Sequence, residues 1–378
     1  MNRTRRLSLA LGVVGALALL FAGCGLPGTI ATTGHLPAVS ASPTVAPLPP
    51  VRFPQDEAPH HDLMEWWYYT GHLHGTDAQG HARTYGFELV FFQTLRGQFS
   101  PFYAAHFAVS DITHGQFHYD QRAGLEPASV IPPAGSTQGF NVSLGGWSAR
   151  GLGGHDTLAA TMPGYAIDLR LTGAKPAALH NGDGLISYGP AGFSYYYSRP
   201  LMRVSGTITD GGLPISVTGQ AWMDHQWGNF VSLAGSGWDW YSLQLANNTE
   251  YMLYIIRDTQ RRPIAVFGTA VAPDGTARAI HAADISIRAL GSWTSPHTGG
   301  IYPSGWQVTL ASEQVMLQIM PLLRDQELVT AASTGVAYWE GAVSITGDAS
   351  GAPVAGEGYV ELTGYASIPS SNQGASVP

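Results

Sequence analysis

The chain has 378 residues, a formal net charge of −8 and only 12% charged residues. A nucleic-acid-binding surface needs a basic face, so that class is excluded. The single cysteine, Cys24, rules out a disulfide framework, while 10 Trp, 17 Tyr and 47 Gly point to a β-rich, aromatic-lined protein.

At the N-terminus, Arg3, Arg5 and Arg6 precede a run of apolar and small residues from Leu7 to Ala22 that ends "FAGC". Residues 1–23 therefore have the layout of a secretory signal. The small-small-Cys ending resembles a bacterial lipoprotein signal. That resemblance implies acylation of Cys24 and a membrane-anchored, extracytoplasmic protein at the cell surface or in the periplasm. An ordinary cleaved signal or an uncleaved anchor is the alternative. Residues 24–59 are rich in Pro, Ala, Ser and Thr, which cannot bury enough apolar surface to fold, and are expected to form a tether. Residues 368–378 are expected to be a flexible tail.

Beyond the tether, period-two runs dominate. "TYGFELVFF", "YMLYII", "WQVTL", "VMLQIM" and "GYVELTGY" are separated by turn signals such as "PDGT" and "GDASG". Many short strands with such punctuation predict an all-β sandwich or barrel. The pattern also repeats. "VTGQAWMD" (217–224) aligns with "VAGEGYVE" (354–361), "YSRPLMRVSG" with "YWEGAVSITG", and Glu65-Trp66-Trp67 with Asp239-Trp240-Tyr241. Three matches in one order predict two copies of one β-unit, over residues 60–233 and 234–367. The junction between such units is a favoured place for a ligand site.

The stretch "AWMDHQWG" lies at the end of the first copy and places Asp224-His225 between Trp222 and Trp227. Proton chemistry in such an aromatic, water-poor place needs a strong proton donor, shielding of any cation formed, and a positioned water. A buried carboxylic acid supplies the first because desolvation raises its pKa. Trp and Tyr faces stabilise a cation, and a histidine orients water. On a strand, however, Trp222 and Asp224 share one face while Met223 and His225 share the other. A pooled site completed by Asp239 or Glu65 from another strand is therefore expected. Alternatively, Asp224-His225 only satisfies buried backbone groups at the junction. Glu88, between aromatics, is expected to point outward, and Glu65 to pair with an arginine across strands. His60-His61 and His72/His74 do not make a metal-binding pattern, so no metal is expected. There is no G-x-S-x-G elbow for serine hydrolysis.

Ten motifs in order, "EWWYYTGHL", "YGFELVFF", "YAAHFAVSD", "ALHNGDG", "SYYYSRP", "AWMDHQWG", "GWDWYSLQL", "PLLRDQEL", "YWEGAV" and "GYVELTGY", resemble the AttH-like family. That family includes the carotenoid 1,2-hydratases (hydroxyneurosporene synthases). The resemblance spans about residues 59–365 and implies a pair of lipocalin-like β-barrels. It further implies roles for His225 and Trp227 of "DHQW" and for an Asp and a Tyr downstream, for which Asp239 and Tyr241 are the nearest candidates. The expected catalytic set is Asp224, His225, Trp227, Asp239 and Tyr241. Glu65, Trp66, Trp67, Glu88, Trp222, Trp238 and Trp240 are expected to line the ligand. The expected partner is an apolar small molecule, an isoprenoid such as a carotenoid or a lipid, hydrated or isomerised without a cofactor. The other reading is a non-catalytic lipid carrier or surface-attachment protein.

Overall fold

The computed structural model describes residues 48–95, 100–125, 131–188, 192–230 and 237–368. The signal segment, Cys24 and nearly all of the tail lie outside these residues.

Aromatic and β-branched residues alternating along the chain build two antiparallel sheets, as the period-two pattern predicts. In the first, β1 (Met64–Thr76), β2 (Ala82–Thr94), β3 (Phe102–Asp111) and β4 (Gln116–Gly124) form a meander. A second meander follows: β5 (Phe140–Leu144), β6 (Trp147–Leu152), β7 (His155–Met162) and β8 (Tyr165–Gly173). The short β9 (Ala178–Leu179) and β10 (Leu185–Ser187) lead into a long hairpin of β11 (Gly192–Asp210) and β12 (Leu213–Phe230). The strand order is β4-β3-β2-β1-β12-β11-β8-β7-β6-β5, and β3 and β4 curl against β5 so that the sheet is nearly closed.

The second sheet repeats this plan. β13 (Gly237–Leu245), β14 (Glu250–Arg257), β15 (Pro263–Val271) and β16 (Ala277–Ile280) form its first meander. Then come β17 (Ile285–Ala289), a small side ribbon of β18 (Ser292–Thr294) and β19 (Ile301–Pro303), β20 (Trp306–Leu310) and β21 (Val315–Pro321). β22 (Glu327–Val329) precedes the closing hairpin of β23 (Ala337–Ala349) and β24 (Ala352–Thr363). Its order is β16-β15-β14-β13-β24-β23-β21-β20-β17. In both sheets the first strand pairs with the last, so the chain is a tandem of barrel-shaped sheets.

Each barrel is filled by its own apolar core. Trp67, Phe87, Phe107 and Trp147 sit in the first, and Tyr241, Leu253, Trp306 and Trp339 in the second. A third cluster, with Tyr68, Val90, Tyr196, Trp222, Trp240, Met252, Tyr254 and Tyr359, joins the outer faces of the two barrels. Close docking depends on Gly86 of β2, because a Cβ there would lie 2.7 Å from the Ala342 side chain of β23. The strands at this seam are buried on both faces.

The expected tether ends earlier than Pro59. Glu57 is buried, forms an ion pair with Arg199 of β11 and accepts the Gly153 amide at 2.7 Å. Phe53 packs edge-on against Tyr197 at 4.9 Å, and Tyr195 donates to the Pro49 carbonyl at 2.7 Å. Residues from about Pro49 onward are thus bound to the first barrel. Composition misled because a few long-range anchors hold a segment with no core of its own.

Candidate functional site

Strand alternation separates the two residues that the sequence places side by side. His225 points into the first barrel and Asp224 out into the seam, so the expected pooled site does not form.

Inside the barrel, Glu65 is fully buried and its Oε1 accepts from His225 Nε2 at 2.7 Å and from His60 Nδ1 at 2.8 Å. Its Oε2 accepts from the His60 amide and from Gln93 Nε2. The His60 ring stacks on Trp227 at 4.0 Å, and the Trp67 ring lies 5.0 Å from that of His225. Burial raises the Glu65 pKa, but hydrogen bonds from the two histidines outweigh it and leave the carboxyl below its ordinary value. His60 resists burial in the same way: contacts with Asp56 and Glu65 lift it to about 9. His225, more deeply desolvated, is pushed down. Glu65 is thus locked by histidines rather than by the expected arginine. His225, Trp227, Glu65 and Trp67 belong to a closed polar knot within the core of the first barrel. His60, Glu65 and His225 are close enough to share a cation. However, the shared carboxylate oxygen stands at hydrogen-bond distance from both nitrogens, the spacing of proton-bridged pairs.

Asp239 and Tyr241 also leave the expected set. Arg257 pairs with Asp239 at 2.9 Å and stacks over Tyr365, whose hydroxyl donates to the same carboxyl. Tyr241 is buried in the second barrel's core. The downstream "WDWYS" motif alternates like "DHQW", so its acid and Tyr face inward while Trp240 faces the seam.

The seam gathers four carboxyl groups from both barrels. Asp224 on β12 accepts from Ser198 Oγ, from the Tyr196 hydroxyl and, at 2.6 Å, from Trp222 Nε1. Tyr196 in turn accepts from Trp240 Nε1 at 2.8 Å. Glu88 on β2 accepts from the Tyr338 hydroxyl of β23 at 2.8 Å. Glu340 on β23 accepts from the Tyr68 hydroxyl of β1 at the same distance. Glu361 on β24 lies beside Glu340 in the ladder and accepts from Trp238 Nε1 at 2.7 Å. Oε2 of Glu88 and Oε2 of Glu340 are buried with no hydrogen-bond partner among the described residues.

None of the four has a cationic partner among the described residues, and burial dominates their protonation. It pushes Asp224 up to about 7 despite three hydrogen bonds, and Glu361 to about 7 against its bond from Trp238. Burial, reinforced by the charge of Glu361, raises Glu88 to about 8 even with the Tyr338 bond. Glu340 is raised well above the carboxylate range by burial and by the charges of Glu88 and Glu361. Near neutral pH Glu88 and Glu340 are carboxylic acids, while Asp224 and Glu361 lie close to half-ionisation, poised where proton transfer is efficient.

Glu88 does point out of its barrel, as expected, but the outward face is covered by the second barrel rather than by water. Sequence patterning does not single out Glu340 and Glu361, although "YWEGAV" and "GYVELTGY" contain them. The alignment of Asp224 with Glu361 in the repeat was the available signal. Around the acids, Trp66, Phe92, Tyr188, Trp238 and Phe267 are half-buried and form an aromatic edge to the seam. A cleft of about 550 Å³ beside Ile131, Phe140 and Arg150 lies elsewhere on the first barrel. Another of about 260 Å³ between the sheets is lined by Arg203, Gln220, Gln244 and Glu357, and neither cleft is lined by any of the four acids.

The profile of the AttH-like family matches residues 44–365. Among solved structures, an AttH protein from Nitrosomonas europaea superposes with a TM-score of 0.74 at 32% identity, covering 85% of this chain and 99% of that one. Kievitone hydratase from Nectria haematococca superposes with a TM-score of 0.66 at 17% identity, covering 85% and 94%. CghA with Sch210972 matches at 12% identity and a TM-score of 0.50, covering 80% and 89%. The last two likenesses speak to the fold alone. No curated protein matches.

Proposed function

The chain belongs to the AttH-like family, and for this member we propose acid-catalysed hydration or isomerisation of an alkene in an apolar ligand. The observation that carries this reading is the set of four seam carboxyls, buried among indole and phenol groups with no cationic partner among the described residues. A carboxylic acid, Glu88 or Glu340, gives its proton to an alkene carbon, and its O–H bond electrons stay on the carboxylate. The resulting carbocation faces Trp222, Trp240 and Tyr68, whose rings stabilise it without bonding to it. Water adds to the cation, and the proton lost from the added water returns to the carboxylate that gave the first one, so the acid is restored. An isoprenoid or lipid tail suits the half-buried aromatic edge of the seam. The resemblance in fold to a protein named as a hydratase is consistent with this chemistry.

The experiment is incubation of the full chain with a bacterial isoprenoid and lipid extract in heavy-oxygen water, followed by mass spectrometry. Hydration predicts species that have gained one labelled water, and their loss in the folded Glu88→Gln/Glu340→Gln double variant. Extract components bound but unchanged, or turnover unaffected by the double variant, overturn the reading.

The carrier reading has one observation in its favour: neither cleft is lined by the acids. It predicts a lipid that co-purifies unchanged and is retained by the double variant. The protein's place is proposed to be extracytoplasmic and held to a membrane through an acylated Cys24. A Cys24→Ser variant that still partitions with membranes and takes up a labelled fatty acid would overturn that.

A further inference from the structure

One acid of the seam has a continuous hydrogen-bonded path toward solvent. Glu88 Oε1 accepts from the Tyr338 hydroxyl at 2.8 Å, and that hydroxyl lies 2.7 Å from His106 Nδ1. The other ring nitrogen, Nε2, is 3.0 Å from Ser333 Oγ, which is 2.7 Å from Gln121 Oε1. Ser333 is buried, yet it lies directly beneath a turn whose Ala331, Ala332 and Gly335 are exposed, and Gln121 is half-buried. Every link crosses the seam. Glu88, His106 and Gln121 come from the first barrel, and Tyr338 and Ser333 from the second.

We propose that Tyr338, His106 and Ser333 form a proton relay connecting the Glu88 carboxyl with solvent. The chemical groups meet the requirements of such a path. Each hydroxyl can both donate and accept, and a neutral imidazole carries one donor and one acceptor nitrogen. Burial with no compensating charge pushes His106 down to about 3, so the ring is neutral at ordinary pH. In the inward direction, Tyr338 passes its proton to ionised Glu88 and takes one from His106 Nδ1. His106 Nε2 takes one from Ser333, and Ser333 takes one from water. The ring ends as the other neutral tautomer, equally well bonded because both neighbours are hydroxyls. An outward transfer reverses every step and restores the first tautomer, so one proton out and one in makes a closed cycle. The catalytic use of the relay rests on the proposed acid role of Glu88; its operation as a proton path does not.

A reading in which these groups merely clamp the barrels together makes a different prediction, and proton exchange separates the two. The infrared carbonyl band of protonated Glu88 is identified in the full chain as the band missing from Glu88→Gln. Its shift is then timed after rapid mixing into heavy water. The relay predicts that His106→Phe and Ser333→Ala slow that shift on the order of a hundredfold, the low end of what loss of a positioned proton-transfer group costs. Ser333→Thr, which keeps the hydroxyl, restores it. Ser333→Ala decides the matter if His106→Phe does not fold. A wild-type exchange rate in folded Ser333→Ala, whatever its melting temperature, overturns the relay. Slowed exchange in a protein that hydrates nothing would leave the relay standing and remove the hydratase reading alone.

Discussion

Asp224→Asn tests most directly whether the seam holds neutral acids. In the folded protein burial pushes Asp224 up to about 7 from the ordinary 3.8 of an aspartic acid, outweighing the bonds from Ser198, Tyr196 and Trp222. Asparagine has nearly the same shape as the protonated acid and cannot ionise. At pH values below about 4 the aspartic acid is protonated whether folded or unfolded, so its protonation adds no pH dependence. As pH rises from there toward 7, the unfolded chain releases the proton while the folded protein keeps it. Wild type therefore loses stability at about 1.4 kcal/mol per pH unit, to a total of about 4 kcal/mol, and levels off above pH 7. The variant lacks this slope. The assay is urea unfolding of both full-length proteins in steps from about pH 4 to about pH 8. Subtracting the curves largely cancels the contributions of Glu88, Glu361 and His60, which titrate in both proteins. The stability difference should move in favour of Asn by about 4 kcal/mol across this range. Parallel curves would mean that Asp224 is ionised in the fold, and the seam would then be a wet polar interface rather than a store of protons.

Two further perturbations probe what surrounds the seam. His60, held at about 9 by Asp56 and Glu65 against the effect of burial, contributes about 3 kcal/mol that is fully present below pH 6.5 and lost as pH rises through 9. His60→Gln should remove that dependence in the same unfolding assay extended to about pH 10, and an unchanged alkaline slope would refute the clasp. Lys175, between β8 and β9, donates to Glu250, Asn248 and Ala272 of the second barrel from a buried position. Lys175→Met should cost about 3–5 kcal/mol by stranding Glu250, while Lys175→Met/Glu250→Leu should recover most of it. A single variant as stable as wild type would show that the latch carries no load.

Much of this was legible in the chain because side-chain direction in a strand is fixed by parity. Alternation foretold that Asp224 and His225 part ways, and the aligned repeat pointed to two copies of one β-unit. The hidden part has one cause, the docking of barrel on barrel. Period-two patterning tells which residues face outward, but not whether outward means water. Glu88 does face outward, yet the second barrel covers it and leaves it buried. Glu340 and Glu361 sit on strands buried on both faces, where polar and apolar residues no longer sort by side. Partnerships across long stretches of chain, such as Glu57 with Arg199 or Tyr68 with Glu340, leave no trace in local spacing.

The duplication also explains why acids collect in one place. In the repeat alignment Asp224 corresponds to Glu361, Trp222 to Tyr359 and Trp66 to Trp240. All six occupy the seam, although strand pairing differs by two residues: Trp67 stands opposite His225, whereas its counterpart Tyr241 stands opposite Val360. A shift of two preserves parity, so each unit lays the same outer face against the other. On an isolated barrel that face would meet water, and its carboxyls would ionise near their ordinary values. Pressed against its own copy, each acid instead finds a second acid and a wall of aromatic rings, and desolvation keeps its proton on. Inward positions differ between the units, His225 in one barrel and Leu362 in the other. The acidity of the site is thus produced by the contact between units, which is why a substitution at Gly86 that holds the barrels apart would abolish it without touching a carboxyl.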